Sequence, residues 1–342
     1  MRLKYTLLFF GLMALGAFFI GASPSNPEAV SKYKNLDILF YNVENLFDTI
    51  DDPDKNDEEF LPDSKKNWNS IRYQAKLDSL AKVIQATLEI NQGIIGLVEI
   101  ENRRVLEDLV HHPVLEFRRL QIIHHESPDE RGIDVALLLP SQFRCDSNYV
   151  VSIEFPEDKK EKTRDILMAR IHLNNKPFWI SVNHFPSRRG GEEASRSKRA
   201  YVASQLRKQL DMLHAADTAV SFIIMGDFND EPMDSSMSQV LGAGPEKGNT
   251  DLVNLMWNFQ ERGYGSYKYK DEWNMLDQII VSRKLISFGK TFVSPNSARI
   301  YVAEYILEQE GKYKGNPWRT YAGDNYLGGF SDHLPVLVSL RY

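Results

Sequence analysis

Polar residues of the kinds that bind metal ions or phosphate recur where apolar runs end. Asn42 follows the run 36–40, Glu99 follows 94–98, His184 follows 177–182, and Asp227 with Asn229 follows 219–225. Asp277 sits in the run 276–282, and the pair Asp332-His333 stands immediately before 334–340. Carboxylate and amide oxygens are the hard ligands that Mg²⁺ or Mn²⁺ prefers, and an imidazole exchanges a proton near neutral pH. If the runs are strands, their ends meet on one rim of a sheet, so positions far apart in sequence form one site.

The elements needed to position these groups follow from the patterning. Leu36–Phe40, Ile94–Val98, Ile133–Leu139, Ala219–Met225, Leu276–Ser282 and Leu334–Leu340 read as buried strands. Asp165–Leu173 and Pro177–Val182 flank Asn174-Asn175-Lys176, a hairpin signal. Leu77, Leu80, Ala81, Ile84 and Leu88 have helical spacing, which predicts a helix from Ser70 with one face turned inward. A long helix is expected from Glu192 to His214. Residues 48–69, dense in Asp, Glu and Lys with two prolines, read as a solvated loop. The Gly-rich stretch 311–330 carries Tyr313, Trp318, Arg319, Tyr321 and Tyr326, either as a lid that stacks a base or sugar or as packing of a long loop. Strands alternating with helices, singly and in hairpins, argue for layered sheets covered by helices.

Each polar residue alone has a plainer explanation. Gly226-Asp227 after a strand is a common turn, Asp332 after Ser331 caps one, and Asn42 is as good a turn residue as a ligand. The ordered set is different, because independent turns have no reason to match one template. Tyr41-Asn42-Val43-Glu44-Asn45, Gly96-Leu97-Val98-Glu99, Asn183-His184, Gly226-Asp227-Phe228-Asn229, Leu276-Asp277 and Ser331-Asp332-His333-Leu334-Pro335 stand in that order. In sequence they resemble the motifs of the endonuclease/exonuclease/phosphatase superfamily, which includes secreted DNases, base-excision endonucleases, neutral sphingomyelinases and inositol polyphosphate 5-phosphatases. The resemblance extends from about residue 35 to the C-terminus.

The resemblance implies an α/β fold, a four-layered α/β sandwich whose two central, mainly antiparallel sheets pack face to face with helices outside. It also implies a divalent-metal-dependent hydrolase of phosphate esters. A phosphodiester resists attack because its negative charge repels nucleophiles, so the site must neutralise charge and activate water. The implied roles make Glu99 the primary metal ligand, with Asn42 and Asp332 close to it and Mg²⁺ the expected cation, Mn²⁺ or another divalent ion being an alternative. His333 is the general base or phosphate contact, oriented by Asp277, while Asp227 positions the attacking water or a second metal. Asn229 and His184 donate hydrogen bonds to phosphoryl oxygens. Asp134 is a candidate for orienting His184. Arg188, Arg189 and Arg196, next to Gly190-Gly191, are candidates for gripping substrate phosphates, the alternative being a solvated loop and helix start. The role of Glu44 is open.

Lys and Arg number 41 against 47 Asp and Glu, a net charge of −6, so tight nonspecific binding of polyanions is not expected from charge alone. A nuclease-like phosphodiesterase is the first functional reading. A phospholipid or inositol-phosphate hydrolase is the second, and a non-catalytic binding protein the third; a monomer is expected. Cys145 is the single cysteine, which excludes an intramolecular disulfide. Arg2 and Lys4, an apolar stretch from Tyr5 to Ile20, and Gly21-Ala22-Ser23-Pro24 read as a signal peptide over 1–22, followed by a linker over 23–34 and a catalytic domain over 35–342. Export is therefore expected, with no stable membrane span after cleavage; Ile20 is bulky for its place before the cut, and an uncleaved anchor is the alternative. N-terminal sequencing of the exported protein is expected to begin at Ser23, and an intact Met1 would establish the anchor instead.

Overall fold

A computed structural model describes residues 34–88, 92–173, 176–286 and 292–342. The expected signal peptide and all of the linker but Lys34 lie outside the described residues. In chain order come β1 (Asn35–Leu46), α1 (Ser70–Leu88), β2 (Gln92–Ile100), α2 (Arg103–Val110), β3 (Leu120–His124) and β4 (Asp134–Pro140). Next are β5 (Arg144–Val151), β6 (Ile166–Leu173), β7 (Lys176–His184), α3 (Glu192–Ala216), β8 (Phe222–Asp227), β9 (Ala243–Gly244), β10 (Leu252–Asn254) and α4 (Trp257–Glu261). A small hairpin, β11 (Tyr267–Tyr269) and β12 (Glu272–Asn274), precedes β13 (Asp277–Ser282), β14 (Phe292–Val293) and β15 (Arg299–Ile300). A second, β16 (Tyr321–Ala322) and β17 (Asn325–Tyr326), precedes β18 (Val336–Arg341).

The strands form two seven-stranded sheets, ordered β14-β18-β1-β2-β4-β3, with β15 also on β18, and β5-β6-β7-β8-β13-β10-β9. Both are chiefly antiparallel, with parallel pairs at β1–β2, β7–β8 and β9–β10. Side chains alternate across each strand, and the two faces lead to different cores. Leu36, Ile38 and Phe40 of β1 meet Ile223 and Met225 of β8 in the layer between the sheets. Leu39 and Tyr41 turn the other way, onto Leu77, Leu80, Ala81, Ile84 and Leu88 of α1. On the far side Phe222 and Ile224 pack against Val202, Leu206 and Leu210 of α3. Because both faces are covered, these strands read as apolar runs, interrupted in β1 by the buried Asp37. The result is the expected four-layered sandwich, with both long helices on the expected segments. Among the described residues no helix is long and apolar enough to cross a membrane.

Two segments differ from expectation. Residues 48–69 are not simply a solvated loop, since Phe60 and Trp68 are buried in a cluster with Phe47 and Tyr321. Phe47 and Phe60 stack with centroids 4.2 Å apart, and the Trp68 indole donates to the Phe47 carbonyl at 3.0 Å. Two aromatics without periodic spacing are hidden in acidic surroundings, yet each contributes about 1.5–3 kcal/mol on burial and pins the loop. The same cluster settles part of the 311–330 stretch. Tyr321 is a packing residue and Trp318 lies edge-on to Phe330, whereas Tyr313 is exposed. The edge strands β3 and β5 lack an apolar run and were not expected.

Two glycines lie where the site-bearing strands run closest. A Cβ on Gly226 would come 2.5 Å from the carbonyl oxygen of Asn183 on β7, a backbone atom that cannot step aside. A Cβ on Gly96 would meet the sulfur of Met225 at 2.4 Å, the far part of a flexible side chain. Gly226→Ala is expected to cost about 2–3 kcal/mol of stability in urea unfolding, and Gly96→Ala clearly less. Equal costs would show that the β7–β8 backbone approach does not limit the residue at 226.

Candidate active site

Parallel pairing brings the ends of β1 and β2 together on one sheet and those of β7 and β8 together on the other. Antiparallel β13 starts at the same rim. The registers place Asp227 opposite both His184 and Asp277. At the end of β2 the chain bulges, with the β2–β4 register shifting between Val98 and Ile100 and Glu99 adopting φ 64°. A bulge re-aims a side chain, and a non-glycine residue in the left-handed region is costly enough to persist only where surroundings enforce it. β1 shifts register against β2 in the same way between Asn42 and Leu46, with Glu44 and Asn45 at φ 51° and 57°.

These distortions close the site. Glu99 accepts hydrogen bonds from the Asn45 backbone N–H at 3.0 Å and from Asn42 Nδ2 at 3.4 Å. The same Asn42 nitrogen donates to Asp227 Oδ2 at 3.0 Å, so the amide bridges carboxylates from both sheets. Its Oδ1 is occupied by the Glu44 N–H, so Asn42, expected as a metal ligand, presents a donor to the acids here. Asp227 Oδ1 accepts from the Asn229 N–H at 2.9 Å. His184 Nε2 lies 3.9 Å from Glu99 and 3.8 Å from Asp227. His333 Nδ1 hydrogen-bonds Asp277 at 2.7 Å, and its Nε2 faces Asp227 at 3.8 Å and Asp332 at 3.9 Å. Ser331 holds this pair in place, donating to the Asn42 carbonyl and accepting from the His333 N–H. Asn42, Glu99, His184, Asp227, Asp277, Asp332 and His333 therefore share one site, and Asn229 borders it with its amide donating to the Phe185 carbonyl.

The electrostatics separate the two histidines. Burial depresses His184 well below its usual pKa, and the nearby cations Arg164 and Arg131 add to this, so it is neutral. Burial alone would also depress His333, but Asp277, Asp227 and Asp332 outweigh it and hold the imidazole well above its usual range, so it is cationic. Burial pushes Asp227 up to about 6 against the pull of His333. Glu99 is raised by burial, with Arg131 opposing and Asp332 and Asp227 reinforcing. Two like groups pushed in opposite directions divide acid and base roles within one site.

A pocket of about 260 Å³ opens beside these groups, lined by Glu99, Asp332, Glu44, Arg319, Lys66 and Tyr321 among others. Glu44 is engaged by the loop before Asp332. It accepts from the Thr320 N–H at 2.6 Å and lies 3.6 Å from Arg319, which in turn clamps Asp332. The donor set suits a hard divalent cation, because Glu99 and Asp332 offer oxygens into one pocket and the Asp332 charge helps raise Glu99, a repulsion that such a cation relieves. Asp227, Asp277 and His333 also bring ligand-type atoms within 4.8 Å of one another.

Other expected residues lie elsewhere. Asp134, the candidate for orienting His184, binds His124 at 3.0 Å and the Ser127 N–H instead, while His184 Nδ1 has no partner. Arg188 does not reach into the site but staples its border, donating to the Asn229 carbonyl, Asn274 and Asp234. Arg196 pairs with Glu192 and Glu193 on its own helix, and Arg189 is exposed on the loop before it. Besides Arg319, which holds Asp332, the cations that act on the site include Arg131, at the start of the Arg131-Gly132-Ile133-Asp134 segment, and the buried Arg164, held by Asp129 and the Phe185 carbonyl. Tyr267, whose ring lies 4.8 Å from that of His333, was also missed. Only the alternation Tyr267-Lys268-Tyr269 before Asp277 signals it.

The profile of the Endonuclease/Exonuclease/phosphatase family matches residues 37–342. A comparison with curated protein sequences gives no match. Solved structures with a similar fold include an endonuclease/exonuclease/phosphatase family protein from Bacteroides thetaiotaomicron, at TM-score 0.55 and 16% identity, covering 91% of this chain and 99% of that one. D. rerio TDP2 in complex with a single strand DNA product aligns at TM-score 0.53 and 13% identity over 90% and 98% of the two chains. The human Nocturnin catalytic domain with bound sulfate anion aligns at 0.51 and 14% over 90% and 94%. With a family match spanning both sheets and every strand end that carries the site, this chain belongs to the endonuclease/exonuclease/phosphatase family.

Proposed function

We propose that the protein is a divalent-metal-dependent phosphoester hydrolase, of the phosphodiesterase kind that acts on nucleic acid. The observation that carries this reading is the line Asp277–His333–Asp227, set beside Glu99 at the junction of the two sheets. A cation held by Glu99 and Asp332 would withdraw charge from the phosphoryl oxygens and acidify a bound water. Asp227, with a pKa of about 6 and one oxygen turned to His333, is the best-placed acceptor for a proton from the attacking water. His333, cationic and fixed by Asp277, offers Nε2–H to a phosphoryl oxygen, where developing negative charge strengthens the bond. Neutral His184 is a second donor that adds no net charge, and Arg131, partly exposed, joins the pocket-lining Arg319 and Lys66 as a cation available to a substrate phosphate.

Support for a nucleic-acid substrate is that a similar structure, that of TDP2, holds a single strand DNA product; the sulfate in Nocturnin supports a tetrahedral-anion site. Among the described residues the pocket lining is polar and charged apart from Phe60, Tyr321 and Gly323, which disfavours the phospholipid reading. The signal-peptide pattern in the sequence supports the reading that this activity is exercised outside the cytoplasm.

Two measurements test the proposal. With oligonucleotide and bis(p-nitrophenyl) phosphate as substrates, His333→Ala and Asp277→Asn are each expected to lower turnover by about 10²–10⁴ with the fold intact, whereas Arg189→Ala and Arg196→Ala leave it unchanged. Undiminished turnover in Asp277→Asn would remove the imidazole from the mechanism. Stripping with EDTA is expected to abolish hydrolysis and added Mg²⁺ or Mn²⁺ to restore it; full activity in EDTA rules out the metal.

A further inference from the structure

We propose that the β11–β12 hairpin is a stacking platform that takes an unpaired nucleobase next to the scissile phosphate. The inference deepens the nuclease reading and rests on it for the position of the phosphate. The hairpin is rigid at its base and exposed at its tip. Its register pairs Tyr267 with Asn274, Lys268 with Trp273 and Tyr269 with Glu272. The turn residues Lys270 and Asp271 both lie in the left-handed region, at φ 48° and 68°, as a tight two-residue turn requires. At the base Ser266 exchanges backbone hydrogen bonds with Asn274 and Leu334, and its hydroxyl accepts from the Asp277 N–H. Arg188 ties Asn274 to the loop after β7.

Tyr267 and Tyr269, two residues apart on one strand, point to the same face. Tyr267 lies against His333, so Tyr269 extends that surface outward by roughly 7 Å. Tyr269 is 57% exposed, although large aromatic surface is costly to leave in water. Lys270 sits over the Tyr269 ring. The local charge balances, since Lys268 and Lys270 are offset by Asp271 and Glu272, and the whole chain is acidic. Stacking rather than charge is therefore the attraction, which any base satisfies through its π face but a base inside a duplex does not. The acidic pair at the tip argues against insertion into a bilayer, the other use of exposed aromatics.

The test measures anisotropy of a fluorescein-labelled oligothymidylate in EDTA, alone and annealed to its complement, and hydrolysis of bis(p-nitrophenyl) phosphate with Mg²⁺. The Tyr269→Ala protein is expected to bind the single strand about tenfold more weakly. Tyr269→Phe should bind as the wild type does, and both should hydrolyse the small diester at the wild-type rate. Unchanged single-strand affinity in the alanine protein overturns the platform. So does an equal loss on duplex. If the wild type fails to hydrolyse the small diester, the hydrolase reading falls while the platform is still judged on binding alone.

Discussion

Keeping several carboxylates dry in one place is the demand around which this molecule is arranged. Asp277 and Asp227 are almost fully buried and Glu99 nearly so. An ion taken out of water costs several kcal/mol even after the protein relaxes, unless donors replace the lost hydration. The donors here come from separate parts of the chain: the Asn45 N–H for Glu99, the Asn42 amide for Glu99 and Asp227, the Asn229 N–H for Asp227, and the His333 imidazolium for Asp277. They do not fully compensate, since Glu99 and Asp227 remain raised. That residual repulsion is a chemical resource, because it favours a cation and leaves Asp227 able to accept a proton.

The sheet topology makes the arrangement possible. Two parallel strands end at the same height, so β7 and β8 deliver His184 and Asp227 side by side, and antiparallel β13 begins with Asp277 across from them. β1 and β2 do the same on the facing sheet, but their regular continuation would send Glu99 along the strand. The bulges at 44–45 and 99 turn it toward Asn42 instead. Left-handed backbone at three non-glycine residues is tolerated because sheet pairing on both sides holds it.

Much of this was readable in the residues themselves. Leu36–Phe40 or Ile94–Val98 can only be buried strands, and the helical spacing from Leu77 to Leu88 leaves one inward face. The polar residue that ends each run was therefore correctly located. What escaped was everything depending on where a long side chain leads. Arg188 and Arg131 are both arginines within two residues of a glycine in polar loops; one is consumed as a staple and the other acts on the site, and only the positions of Asn229, Asn274 and Glu99 decide which. Asp134 has His124 within reach across the sheet, a pairing set by the β3–β4 register, which no local pattern discloses. Phe60 and Trp68 were invisible for the opposite reason, that a cluster of a few aromatics needs no period.

The segment before Asp332 shows how a long irregular loop is made precise enough to carry part of the site. Lys76, buried on α1, donates to the Thr320 hydroxyl at 2.6 Å and to the Phe330 carbonyl at 2.7 Å, fastening the loop near both ends. A buried ammonium needs a counter-charge, and Glu44 supplies it while accepting from the Thr320 N–H. Burial moves the two toward each other, Lys76 down to about 8 and Glu44 up to about 7. Glu44 also faces Arg319, which grips Asp332. The position of Asp332 at the pocket is thus set through a chain of charges that begins under a helix on the outer layer. This gives Glu44 a use that its place in the first motif does not reveal: it anchors the strand-end Asn42 and the loop-borne Asp332 to one another, so that residues nearly three hundred positions apart share a fixed geometry.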